Sequence, residues 1–161
     1  MPLFLPLLLA APADAAAAKL QPAAEPSIVA AGKACVGVTA DPDGQATRLT
    51  GWRPATTAEA KGVNSDGAIV MRDNIQLIYR TGSEGGCVVM ANPDAAFDTA
   101  AFYADLGAAI GVPIATDPKN PVTKLPNGEV LVTVVTLEKD KRLVTLVVGN
   151  PNSEYAKKKG K

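Results

Sequence analysis

The chain has 161 residues, with 16 Lys plus Arg balanced by 16 Asp plus Glu, two Cys and no His. The missing imidazole excludes Ser-His-Asp and Cys-His catalysis and His-ligated zinc, and two thiols cannot build a four-cysteine metal site. Zero net charge gives no electrostatic case for nucleic acid. Aromatic residues at 4% leave Val, Leu, Ile and Ala to form any core.

The first segment, Leu3 to Leu9, is an apolar run interrupted by Pro6, followed by Ala11-Pro12-Ala13-Asp14-Ala15. This is the hydrophobic region and small-residue cleavage site of a secretory signal peptide, although no Lys or Arg precedes Lys19 to form a basic n-region. Cleavage after Ala15 is the expectation, giving residues 1–15 as signal and a periplasmic or secreted mature protein. Loss of Asp14 would leave a charge of +1. A run this short cannot span the ~20 residues of a bilayer core, so no stable membrane anchor is expected. Export places Cys35 and Cys87 in an oxidising compartment, where they are expected to form one intramolecular disulfide.

Residues 16–26 are rich in Ala and Pro and read as a disordered linker. Glu25-Pro26-Ser27 then opens a helix, with proline in the first turn where its missing N–H costs nothing. Ile28, Ala31, Cys35 and Val38 recur at helical spacing, although Val36 to Thr39 could instead be a short strand. Asp41-Pro42-Asp43-Gly44 ends the element; it lacks the spacing of a calcium loop. Residues 45–66 give no clear period, with Leu49 and Trp52 as apolar anchors.

From Gly67 the period becomes two: Ala68 to Met71, then Ile75 to Arg80, then Cys87 to Met90. Thr81 to Gly86 reads as a hairpin loop. It is not a phosphate cradle, because its glycines lead into a strand instead of Lys-Ser/Thr at the head of a helix. Asn92 as N-cap, Pro93 as first helical residue and Asp94 in the first turn predict a second helix. Phe102, Tyr103, Leu106 and Ile110 form its stripe, Gly111 and Pro113 stop it, and Asp98 with Asp105 share a solvated flank. A metal at that pair would need a third ligand.

After a proline-punctuated loop, Glu129 to Leu137 and Arg142 to Gly149 form a hairpin about the charged turn 138–141. Val130, Val132 and Val134 alternate with Leu131, Thr133, Val135 and Leu137. In the return strand Val144, Leu146 and Val148 alternate with Leu143, Thr145 and Val147. Both faces are apolar, so one of them should meet cover or a partner. Residues 153–161 form a basic flexible tail ending Lys157-Lys158-Lys159-Gly160-Lys161.

These elements predict a single α+β domain over residues 27–152. It has an antiparallel sheet of about four to five strands, two helices on one face and the Cys35–Cys87 disulfide. The functional expectation is a small exported, non-catalytic binding or interaction protein, with no cofactor or metal. Its partner would be another envelope protein or a second copy, met through the 130–148 hairpin. The candidate surface is Trp52, Tyr79, Tyr103, Val132, Val134, Leu146 and Val148. The competing reading is a small exported hydrolase using scattered acids or a Ser–Lys dyad, from Ser27 or Ser65 with Lys33 or Lys61.

Overall fold

The computed structural model describes residues 20–41, 45–80 and 85–149. The expected signal peptide, the basic tail, most of the 81–86 loop and the Pro42-Asp43-Gly44 turn lie outside these. From Leu20 onward the expected linker already belongs to the fold. Strand β1 (Pro22–Ala23) pairs in parallel with the end of β5 (Gly86–Pro93), matching Pro22 to Asn92 and Ala23 to Pro93.

Helix α1 spans Glu25–Ala40 and carries Pro26 in its first turn. The predicted stripe is the buried one: Ile28, Ala31, Cys35 and Val38, joined by Gly32 and Thr39. Burial of that stripe decides the helix-or-strand ambiguity at 36–39, since a strand would have turned alternate residues to water. The unreadable region holds α2 (Gln45–Arg48), β2 (Arg53–Pro54) and α3 (Thr57–Ala60). The last of these begins with a reciprocal capping box between Thr56 and Glu59.

Strands β3 (Ala68–Arg72) and β4 (Ile75–Arg80) form a tight hairpin over Asp73-Asn74. Both turn residues have positive φ, 49° and 66°, as a two-residue turn matching the twist of its strands requires. Strand β5 runs on to Pro93, so the predicted helix start at Asn92 is displaced. Helix α4 is Thr99–Ile110, its N-cap is Asp98, and the Asp98 carboxylate accepts from the Ala101 N–H at 2.7 Å. Pairing with β1, and the Asp94 N–H donating to the Ala23 carbonyl, hold 92–94 extended. The predicted stop is in place, with Gly111 left-handed at φ 88°.

The remaining strands are β6 (Val122–Lys124), β7 (Val130–Glu138) and β8 (Lys141–Gly149). Among the described residues the sheet has eight strands in the order β2-β3-β4-β5-β8-β7-β6, with β1 beside β5. The α+β antiparallel architecture is as expected, but four to five strands and two helices are both undercounts, the additional helices being the single turns α2 and α3. The additional strands are β1, β2 and β6, pieces of two or three residues too short to show a period.

Helices α1 and α4 lie side by side on one face of the sheet, α1 crossing β4, β5 and β8. Leu77, Val89, Leu131, Val144 and Leu146 rise from the sheet to meet Ile28, Phe102 and Leu106, all fully buried. Each such side chain is worth about 1.5–3 kcal/mol of burial. The disulfide between Cys35 and Cys87 links α1 to β5 inside this layer, with Cα atoms 5.5 Å apart and a sequence separation of 52. The helices approach closely at Gly32, where a Cβ would stand 2.8 Å from the Leu106 and Leu146 Cδ1 atoms.

Candidate functional site: the outer face of the sheet

Strand registers decide which side chains share the second, outer face. Ile69 opposes Ile78, Ile78 opposes Val88, Val88 opposes Val147, Val147 opposes Val132, and Val132 opposes Val122. Six aliphatic residues therefore form one row running across six strands. At the β3–β4 end the row is covered. Val63 and Leu20 pack around Ile78, Met90 and Leu143, and Gln76, itself buried, donates through Nε2 to the Glu59 carbonyl. At the other end nothing among the described residues closes it: Val122 is 41% exposed, Val147 37% and Val134 46%. Val88 to Val122 spans three strand spacings, about 14 Å of apolar surface.

The candidate surface residues divide between the two faces. Val132 and Val134 belong to the outer face together with Thr145 and Val147. Leu146 and Val148 turn the other way and are core, 0% and 1% exposed under the helices. The cause is the hairpin register, in which Glu138 opposes Lys141 and even-numbered residues of β7 oppose odd-numbered residues of β8. Val122, Val147 and Val88 are the outer-face residues that the sequence reading passed over. The fixed register of a tight β7–β8 hairpin would have identified Val147.

The three aromatic candidates are not brought together. Trp52 lines a groove of about 790 Å³ between α1 and the 47–52 segment, beside Lys33, Arg48 and Arg72. Tyr103 lines a different groove, about 950 Å³, between α4 and residues 111–116. Burial raises the Tyr103 phenol above its ordinary pKa. Tyr79 is half-buried against the helix-side core and lines neither groove.

The remaining polar chemistry is structural where its partners are visible. Arg53 grips Glu59 with both guanidinium nitrogens, at 2.7 and 2.8 Å, which lowers the Glu59 carboxyl to about 2. Buried Thr39 donates to Glu129 Oε2 at 2.9 Å, fixing the end of α1 to the start of β7. Glu25, at the start of α1, meets Asp98 at the N-cap of α4 and Asp105 within that helix, and its carboxyl is raised first by burial, then by the hydrogen bond with Asp105. Among the described residues no group of three acids or thiols is placed to hold a metal ion. Ser27 and Lys33 both border the Trp52 groove, but six positions along one helix is about 9 Å of rise, too far for direct proton transfer.

No helix among the described residues is long and apolar enough to cross a membrane. No protein-family model, curated protein or solved structure matches the chain.

Proposed function

We propose that the protein is a small exported, non-catalytic interaction protein that receives an apolar partner on the outer face of its sheet. The observation carrying this reading is the aliphatic row, closed at its β3–β4 end and open at β6, β7 and β8. An antiparallel sheet that simply faced water would alternate apolar and polar residues, whereas here the outer face repeats valine. The buried disulfide is compatible with the oxidising compartment that the N-terminal sequence suggests. The partner is another envelope protein presenting an apolar strand or patch.

The test places a photo-crosslinker at Val147 in cells exporting the protein, with Lys61 as the control position. The expected result is a discrete adduct heavier than two copies of the chain at position 147, absent at 61 and abolished by Val132→Asp. Equal labelling at both positions, or an adduct indifferent to Val132→Asp, would overturn the reading.

A further inference from the structure

The groove beside Trp52 is lined by three cations against two acids. Lys33 comes from α1, Arg48 from α2 and Arg72 from the end of β3, and the acids are Asp41 and Asp73. These charges are not equally committed. Arg72 Nε stands 3.5 Å from Asp73 Oδ2, and Arg72 Nη1 donates to the Thr50 carbonyl at 3.2 Å. Lys33 and Arg48 form no ion pair and no side-chain hydrogen bond among the described residues.

Two glycines set where the guanidinium groups lie. A Cβ on Gly37 would stand 3.0 Å from Arg48 Cδ, so the Arg48 stem lies directly against α1. Gly37 is one helical turn beyond Lys33 on the same face, which brings the two uncommitted cations to one stretch of α1. At Gly51, where φ is 85°, a Cβ would stand 3.4 Å from Arg72 Nη1, so that guanidinium lies against the turn leading into Trp52. Along α1 the groove meets Ala30 and Ala34, whose single methyl groups leave a shallow apolar wall. Trp52 is half-buried, and its indole N–H donates to no group among the described residues.

We propose that this groove is a second binding site, for a small aromatic anion: a flat ring carrying a carboxylate or a phosphate. The ring lies against Trp52 and the alanine wall. The anionic group sits between Lys33 and Arg48, gaining charge-assisted hydrogen bonds without breaking any pair already made. Arg72 adds positive charge from the other end of the groove. The volume of about 790 Å³ suits a small molecule, for which sites of about 300–1,000 Å³ are usual. The groove lies on the helix side of the sheet, so it is separate from the outer valine row and neither reading needs the other.

Trp52 is the single tryptophan of the chain, so intrinsic fluorescence reads this groove directly. The full chain is titrated with para-nitrobenzoate and with para-nitrophenyl phosphate, corrected for probe absorbance against N-acetyltryptophanamide. At least one probe should quench saturably, half-maximal below about 1 mM, and the tighter of the two identifies the anionic group. Neutral para-nitroanisole should bind at least about tenfold more weakly, having no charge to meet the two cations. The matching ringless anion, acetate or inorganic phosphate, should compete only at roughly tenfold higher concentration. Replacing Lys33 and Arg48 together by Gln keeps most of each stem and removes both charges. Binding should weaken at least about tenfold while the melt stays within about 3 °C of wild type. Lys33→Gln alone, at an exposed helix position, should already weaken binding about threefold. Lys124→Gln, on β6 at the far edge of the sheet, should leave the titration unchanged. The proposal is overturned by the absence of saturable quenching up to about 10 mM of either probe. It is equally overturned if para-nitroanisole or the ringless anion binds as well as the probe, or if the Lys33 and Arg48 substitutions leave binding intact. Val147 adducts are read separately, so either reading can fail alone.

Discussion

The two faces of this sheet are built from nearly the same residue types and come to opposite ends. On the helix side, Val144, Leu146 and Val148 of β8 sit at 0–1% exposure beneath α1 and α4. One position along the same strand, Val147 faces outward and keeps 37% of its surface in water. Composition cannot distinguish these neighbours; only register and the placement of two helices do. The helix side is where the stability resides, and among the described residues nothing covers the outer side from β8 to β6.

The largest effect that would sharpen the contrast comes from the disulfide, which belongs wholly to the helix side. On the chain-entropy account, closing a loop of 52 residues stabilises the fold by about 4 kcal/mol. Replacing Cys35 and Cys87 together by Ala should lower Tm by roughly 10–20 °C in a thermal melt monitored by circular dichroism. A melt unchanged within about 2 °C would show that the bridge does not hold α1 to the sheet.

Next in size is the helix crossing. Gly32→Ala places a methyl group 2.8 Å from the Cδ1 atoms of Leu106 and Leu146, both fully buried, so these side chains must shift within the core to admit it. A cost of about 1–3 kcal/mol is expected in urea unfolding. A gain of up to about 1 kcal/mol, which the same change yields on an exposed helix, would mean that the helices sit further apart than described.

The smallest effect lies on the segment joined to the outer face, at the Arg53–Glu59 pair. The Glu59 carboxyl is depressed from an ordinary 4.5 to about 2, chiefly by its hydrogen bonds with Arg53. The folded-state value lies below the unfolded one, so the stabilisation is fully present above about pH 4.5 and is lost as pH falls toward 2. The Tm difference between wild type and Glu59→Gln should be seen at pH 6 and shrink on acidification toward pH 2. A difference that stays constant over this interval would contradict the pairing.

Legibility in the sequence followed the range of the interactions involved. The α1 stripe, the Gly111 stop and the Cys35–Cys87 bridge could be read because each rests on a short pattern or on a pairing without alternatives. The start of α4 could not, since Asn92-Pro93-Asp94 and Asp98 are both competent starts and β1, some 70 residues upstream, decides between them. Strands β1, β2 and β6 owe their existence to a neighbour rather than to any period of their own. The Thr56–Glu59 capping box was visible as Thr-Thr-Ala-Glu, yet it lies in a stretch with no hydrophobic period to draw attention to it. Of the candidate surface, Val132 and Val134 lie on the outer face, whereas Leu146 and Val148 lie beneath the helices; alternation within each strand does not separate the two pairs, and only the hairpin register does.

The most direct measurement compares Val144→Asp with Val147→Asp, an acid placed three residues apart on one strand and on opposite faces. Val144→Asp should abolish cooperative unfolding, since it buries an unpaired carboxylate beneath α1. Val147→Asp should melt within about 3 °C of wild type while losing its binding of an apolar-surface dye and the Val132-dependent partner contact. If Val147→Asp destabilises as severely as Val144→Asp, or binds dye and partner undiminished, the outer face is not the open recognition surface described.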